Sequence, residues 1–482
     1  MFAVAYMLGL LLLAFALSFV LPIACSLLMG DGLALKFLLA AALTAGCGLL
    51  LAAVTARLRR ELRARDGFLL VTLGWLLLSA AAAVPLLLAL PSLSFTGAYF
   101  EAMSGLTTTG STVLIGLDAL PPSLNFWRHL LEWLGGMAII VMALAVLPVL
   151  GVGGMQLYKG QAPGAAKEER LTPRITETAR ALWLVYALIT VAGVVSLRIC
   201  GMSWFDAICH AFSAVGLGGF STHDRSVGFF DSPAVELTLV ALMLIASLNF
   251  ARHFIALKRL SLDTYQVDPE CRAIFLILSV SVVGIAVLLT WHGVYPGFMT
   301  ALRHSAFNVV SQATTSGLTT QDYQRWPGFA PYWMLFLSCI VCSTGSTGGG
   351  IKMFRTLLLA RQAGRELKLL VHPAAMAPVR IGGRAIPESV GHAVLAFIFL
   401  YFMTVVFFTF AMLLTGLDFD AALSASVASI NNTAHGFGPP GGVQSFHGLS
   451  ALQTWLCTAA MLLGRLEIFS VIVLFTPAYW RK

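Results

Sequence analysis

Charge is what this chain has least of. Only 11% of its 482 residues are Asp, Glu, Lys or Arg, against roughly 25% in soluble domains. Apolar residues make up 58% and the mean hydropathy is +0.86. These values exclude a water-soluble fold, and apolar stretches of bilayer-crossing length recur from end to end. The first of them, Ala3 to about Leu28, has no basic flank and is too long for a cleaved leader, so it reads as a retained span. The eight cysteines are scattered. Cys339 and Cys342 make a C-x-x-C, but inside an apolar span, where buried packing outweighs metal or disulfide chemistry. A nucleotide cradle is also missing. The stretch "STGSTGGGIK" (343–352) fails the P-loop template, because Ile351 separates Gly350 from Lys352 and Met353 takes the hydroxyl position. Nor does a catalytic set converge. His210 and Asp206 lack a nucleophile, and His253, His304, His392 and Glu132 lie near span ends without metal-ligand spacing. An enzyme is therefore not expected.

The few charges are lopsided. Counting alternate sides from "ARLRRELRARD" (56–66), the segments 56–66, 159–180, 252–272, 352–384 and 481–482 hold 23 of the 30 Lys and Arg residues. Positive residues stay in the cytoplasm, which places these segments and both termini there. The net charge of +8 then faces the cytosol and anionic headgroups, and no nucleic-acid partner is needed to explain it.

Ten spans are expected, near 3–28, 33–55, 68–90, 127–150, 179–200, 233–257, 273–292, 331–360, 391–415 and 450–476. After the first two, each pair encloses a segment too short to cross, ending in glycine and small hydroxyl residues. The four read "YFEAMSGLTTTGST" (99–112), "ICHAFSAVGLGGFST" (208–222), "HSAFNVVSQATTSGLTT" (304–320) and "SVASINNTAHGFGPP" (426–440). In the first three a serine stands six residues before a glycine: Ser104 and Gly110, Ser213 and Gly219, Ser311 and Gly317. In the fourth, Gly436 takes the glycine place and Ile430 the serine place. Such repetition is the strongest signal in the chain. Irregular backbone at membrane depth is tolerated only where it is buried in protein or lines water. Four such returns around one axis would present main-chain carbonyls to a dehydrated cation. The fold class that follows is an all-α membrane protein. It has a two-span N-terminal unit (1–55) and four span–half-helix–return–span repeats (68–150, 179–257, 273–362 and 391–477).

The motifs "TTTGST", "WLGGM" (133–137), "GVGGMQLY" (151–158), "GGFSTHD", "TTSGLTT" and "STGSTGGGIK" together resemble the membrane subunit of the Trk/Ktr potassium-uptake family. The two extra N-terminal spans are similar to its TrkH-type branch. The resemblance implies that one chain forms a complete pore for K+, or the similar Rb+, as transported ligand, with no cofactor of its own. It places the filter glycines at Gly110, Gly219, Gly317 and Gly436. The neighbouring carbonyls would come from Thr108 and Thr109, Leu217 and Gly218, Thr315 and Ser316, and Thr433, Ala434 and His435. Glycine at 110 goes with potassium in this family, whereas some sodium-selective relatives carry serine. The fourth return departs from the pattern: a Gly-Pro pair is expected where Ala434-His435 stands, and His435 reads either as a charge near the ion path or as a solvated rim residue.

The same resemblance makes 343–352 an intramembrane gating loop, with Gly345, Gly348, Gly349 and Gly350 leaving it lightly packed and mobile. Lys352 is either a charge at the gate or a snorkelling end residue. Arg465, inside the last span, either faces the pore below the filter or belongs to a structural ion pair. Family members are homodimers docking a cytosolic ring of nucleotide-binding, RCK-type regulatory subunits, for which 159–174 and 352–384 are the available surface. The implied setting is the bacterial inner membrane. The rival reading is a broken-helix, cation-coupled secondary transporter, which would usually show two inverted halves.

Overall fold

The computed structural model describes residues 2–58, 63–145, 175–434 and 446–481. It is helical apart from one small hairpin, in which Arg380–Ile381 pairs antiparallel with Arg384–Ala385. Among the described residues, six continuous helices are long and apolar enough to cross a membrane: Phe2–Met29, Ala34–Thr55, Arg65–Ala89, Glu177–Ile199, Pro269–Trp291 and Glu388–Leu414. The first two form the N-terminal pair. The other four open the four repeats.

Each opening helix is followed by a helix too short to cross. These half-helices are Phe95–Leu106, Trp204–Gly216, Phe298–Ala313 and Phe419–Asn431, of 12, 13, 16 and 13 residues. At about 1.5 Å per residue none reaches the roughly 30 Å of a hydrocarbon core. Three start where the sequence supplies a side-chain cap. Ser94 accepts from Gly97 N at 3.1 Å, Ser203 from Asp206 N at 3.0 Å, and Asp418 from Ala421 N at 2.7 Å. Such caps satisfy amides that a helix start leaves open.

The helices closing the repeats are less regular. The first is Pro122–Ala145. The second and fourth are bent pairs, Pro233–Ser247 with Phe250–Arg259 at 100° and Ala451–Arg465 with Phe469–Phe475 at 106°. The third, expected as one span over 331–360, ends at Ile340 and resumes only as Met353–Val371. Residues 341–352 between them are the glycine-rich stretch. Among the described residues, the six continuous helices and the two bent pairs account for eight of the ten expected crossings, and Pro122–Ala145 and the interrupted third closing helix stand at the other two.

Trp127 and Asp31 help fasten the N-terminal pair to the first repeat. Trp127, fully buried, stacks on Phe19 with centroids 4.6 Å apart and meets Phe15 and Phe37 at 5.9 and 6.1 Å. Its indole N–H donates to Ala82 O at 3.0 Å. Asp31, in the turn between the two N-terminal helices, accepts from Ser123 N at 2.8 Å. Trp127→Ala is expected to cost about 3–5 kcal/mol, the range for removing a buried large aromatic, and to lower the thermal unfolding midpoint of the detergent-solubilised protein.

Candidate functional site

All four half-helices end in the same backbone turn. Thr109 N donates to Ser104 O at 2.8 Å, Gly218 N to Ser213 O at 3.0 Å, Ser316 N to Ser311 O at 2.9 Å and Thr433 N to Ala428 O at 2.9 Å. The residue before each donor is left-handed: Thr108 (φ 52°), Leu217 (φ 54°), Thr315 (φ 62°) and Asn432 (φ 54°). In the first three the residue after the donor is left-handed again: Gly110 (φ 74°), Gly219 (φ 104°) and Gly317 (φ 81°). Ordinary extended backbone points successive carbonyls to opposite sides. Reversing φ at every second residue turns them to one side, and glycine tolerates the reversal without a Cβ clash.

The repeat serine has a specific task. Ser104 Oγ donates to Ser111 O at 2.6 Å and Ser311 Oγ to Leu318 O at 2.6 Å, while Ser213 Oγ accepts from Gly219 N at 2.8 Å. Each hydroxyl ties the half-helix end to its own return.

The fourth return corrects the sequence register. Its hydrogen bonding makes Ala428 the counterpart of the three serines, so Ala434, not Gly436, is the counterpart of Gly110. A second landmark agrees. A Cβ on Gly135 would overlap the carbonyl oxygen of Leu106, and a Cβ on Gly464 that of Ile430; Leu106 and Ile430 stand equally far ahead of Gly110 and Ala434. Matching glycine to glycine shifted the sequence alignment by two residues, because the half-helix ends at Asn431 and Asn432 supplies the left-handed turn. His435 and Gly436 lie outside the described residues, as do 151–158 and 159–174.

The returns meet. A Cβ on Gly110 would overlap Gly218 O; one on Gly219 would overlap Ser316 O and lie 3.1 Å from the Ala434 methyl. Ser111 Oγ donates to Ala434 O at 3.4 Å and Asn432 Nδ2 to Thr109 Oγ1 at 3.0 Å, linking fourth to first. Thr108 Oγ1, Ser316 Oγ, Thr433 Oγ1 and Asn432 Oδ1 are buried oxygens with no hydrogen-bond partner among the described residues.

Behind the first return lies an ion pair that the sequence reading missed. Arg128 is 1% exposed and donates from Nε to Glu101 Oε1 at 2.7 Å. Glu101 also accepts from Thr112 Oγ1 at 2.8 Å and Val113 N at 3.1 Å, so it holds the far end of the return. The guanidinium lies 4.1 Å from the Phe220 ring of the second return. Opposite charges in two neighbouring apolar segments were the available signal.

The glycine-rich loop is not lightly packed, contrary to expectation. Glu270 accepts from Ser343 Oγ and Thr344 N, both at 2.9 Å. Ser343 N donates to Ser247 O at 3.0 Å and Phe250 N to Gly345 O at 3.1 Å, so the breaks in the second and third closing helices satisfy each other. Gly349 N donates to Thr315 Oγ1 at 3.0 Å, and a Cβ there would overlap Asn431 O. Gly348 lies beside Cys342 Sγ and Thr314 O. Gly350 is left-handed (φ 75°) and Lys352 Nζ donates back to Gly348 O. Small side chains let this backbone press against the ends of the third and fourth half-helices.

Arg465 fastens the loop from the fourth repeat. It is 3% exposed and donates to Thr347 O at 2.9 Å and to Gly135 O at 3.1 Å. Among the described residues no carboxylate lies within ion-pair distance of it. Glu467 instead binds Arg355 at 2.6 Å, and Arg355 lies 4.0 Å from the Phe397 ring. The structure therefore joins the loop, Arg465 and the ends of the third and fourth half-helices, with Lys352 at the loop's end.

Four like-oriented half-helices closed by converging backbone returns define a membrane-embedded protein of the four-repeat pore-loop class. The chain matches the family model TrkH, described as a cation transport protein, over residues 36–482. It is 46% identical over 480 residues to the Trk system potassium uptake protein TrkH of Halomonas elongata, covering 98% of each. It is 42% identical to the Escherichia coli K12 protein of the same name, covering 100% of this chain and 99% of that one. The crystal structure of the potassium transporter TrkH from Vibrio parahaemolyticus superposes with a TM-score of 0.92 at 41% identity, covering 100% of this chain and 99% of that chain. The chain belongs to the TrkH family of cation transport proteins, which is a family of transport subunits and not of enzymes.

Removing one partner of a buried ion pair costs roughly 3–5 kcal/mol, because the other charge is left unpaired. Arg128→Met is expected to show that loss in thermal stability, and Arg128→Met with Glu101→Gln to recover part of it.

Proposed function

We propose that this chain is the potassium-translocating subunit of a Trk-type uptake system in a bacterial inner membrane. The observation that carries the reading is the meeting of the returns: the Gly218 and Ser316 carbonyls press against Gly110 and Gly219, beside hydroxyl and amide oxygens that have no partner among the described residues. Carbonyls so placed can replace the hydration shell of K+ or Rb+. The relatives' names as potassium uptake proteins support the same cargo. Thr108, Thr109, Gly110, Leu217, Gly218, Gly219, Thr315, Ser316, Gly317, Thr433 and Ala434 line this filter, which needs no cofactor. Phospholipid surrounds the exposed apolar helix faces, and the basic segments put both termini in the cytosol.

Below it, 343–352 is the gate. Arg465 holds it shut by binding Thr347 O and Gly135 O, and its charge raises the barrier to cations on the axis. The chain acts as a homodimer with a cytosolic nucleotide-binding ring. Met353–Val371 and the hairpin after it extend directly from the gate and offer that ring a lever on it.

Rubidium-86 uptake into liposomes, with K+, Na+ and N-methylglucamine competing, tests the filter. Strong competition by K+ and weak competition by Na+ is the expected result, and equal competition overturns it. Gly110→Ser is expected to admit sodium, because its Cβ displaces the Gly218 carbonyl; an unchanged ratio counts against the filter assignment. Arg465→Ala removes charge-assisted hydrogen bonds worth about 1.5–3 kcal/mol each. Resting flux should rise at least about tenfold if even one of them holds the gate shut, and Gly349→Ala should raise it by dislodging the loop. Wild-type resting flux in both variants would sink the gate.

A further inference from the structure

The second return differs from the other three at the residue that follows its left-handed turn. By backbone hydrogen bonding Gly218 is the counterpart of Thr109, Ser316 and Thr433. Three returns therefore carry a hydroxyl side chain where the second carries a hydrogen atom. The vacated space is filled from another repeat: a Cβ on Gly218 would overlap Cδ and Oε1 of Glu132, on Pro122–Ala145. Glu132 Oε1 accepts from Phe220 N at 2.9 Å. The side chain is 0% exposed, and Oε2 has no hydrogen-bond partner among the described residues, with the Ser213 hydroxyl and Arg128 as polar neighbours. Arg128 is committed to Glu101 at 2.7 Å, and among the described residues no cation lies within ion-pair distance of Glu132. The helix bearing Glu132 is itself held close, since a Cβ on Gly216 would stand 2.9 Å from Glu132 O. On the far side of the same peptide, the Gly218 carbonyl abuts Gly110. The carboxyl group, the Gly218 peptide and Gly110 are stacked in that order.

We propose that Glu132 is the positioning residue of the second return: its carboxyl group, standing in for the missing side chain at 218, sets the Gly218 carbonyl and with it the discrimination between potassium and sodium. This rests on the filter reading above. A residue that served only stability would lower rubidium uptake without changing the cation ratio, whereas a positioning residue changes the ratio.

The test is rubidium-86 uptake by the full chain in liposomes, with K+ and Na+ competing. Glu132→Ala is expected to strengthen sodium competition relative to potassium by about tenfold, the equivalent of one lost hydrogen bond to a carboxylate. Glu132→Gln keeps an acceptor for Phe220 N and should keep the wild-type ratio. Adding Gly218→Ser to Glu132→Ala puts a hydroxyl side chain where the other returns have one, and should move the ratio back toward wild type. Gly218→Ser alone, with Glu132 in place, should not be tolerated. Should Glu132→Ala not fold, Glu132→Met, equal in length but without a strong acceptor, carries the same expectation. A wild-type ratio in Glu132→Ala or Glu132→Met, alongside a shifted ratio in Gly110→Ser, overturns the role of Glu132 and leaves the filter standing. A lost ratio in Glu132→Gln overturns it as well, by making charge and not the acceptor the determinant. An unshifted ratio in Gly110→Ser fells the filter reading itself.

Discussion

Everything in this molecule depends on what becomes of backbone polar groups that leave the helix inside the membrane. An unpaired amide or carbonyl in hydrocarbon costs several kcal/mol. The chain breaks its helices at many such places: at the four returns, and within the second, third and fourth closing helices. Local turns satisfy part of each break, and the rest of the exposed main chain is met by other repeats. Ser247 O is taken by the loop of the third repeat, Gly345 O by the helix of the second, Thr347 O and Gly135 O by an arginine of the fourth. The breaks therefore have to sit together at one level, and the four repeats close around one axis as a consequence.

The scarce charges serve the same end. Glu101 with Arg128, Glu270 with the loop start, and Arg355 with Glu467 are each buried or nearly so, and each binds backbone or sits against it. Burying a charge is costly unless it is paired and hydrogen-bonded. Here the partners are mostly irregular main chain, so both costs are met by one contact. Among the described residues Arg465, like Lys352, has carbonyls alone as hydrogen-bond partners. In the function proposed above, that uncompensated charge is what raises the barrier to cations at the gate.

The four repeats are alike in backbone and unlike in side chain. Serine fastens three returns, while the fourth has Ala428 in its place and depends on Asn432, whose amide reaches Thr109 Oγ1 and Met461 O. The second return has lost its hydroxyl at 218 and borrows a carboxyl group from the first repeat. A pore built from one chain can distribute its supports unevenly in this way. A tetramer of identical subunits cannot.

The sequence by itself determined the membrane class, the two-plus-four organisation, the half-helices and the place of the glycine-rich loop. These follow from hydropathy over about 20 residues and from small-residue clusters, both local properties of the chain. Three things were decided only by the tertiary structure. The register of the fourth return follows where Phe419–Asn431 ends and which carbonyl Gly464 touches, not which glycine resembles which. The loop's tight packing comes from carbonyls of other repeats, so its glycines signal close approach where they had suggested slackness. The carboxylate partner of Arg128 and the backbone partners of Glu132 and Arg465 lie 27, 88 and 118 or more residues away, and no spacing along a single chain encodes which distant group a buried charge will meet.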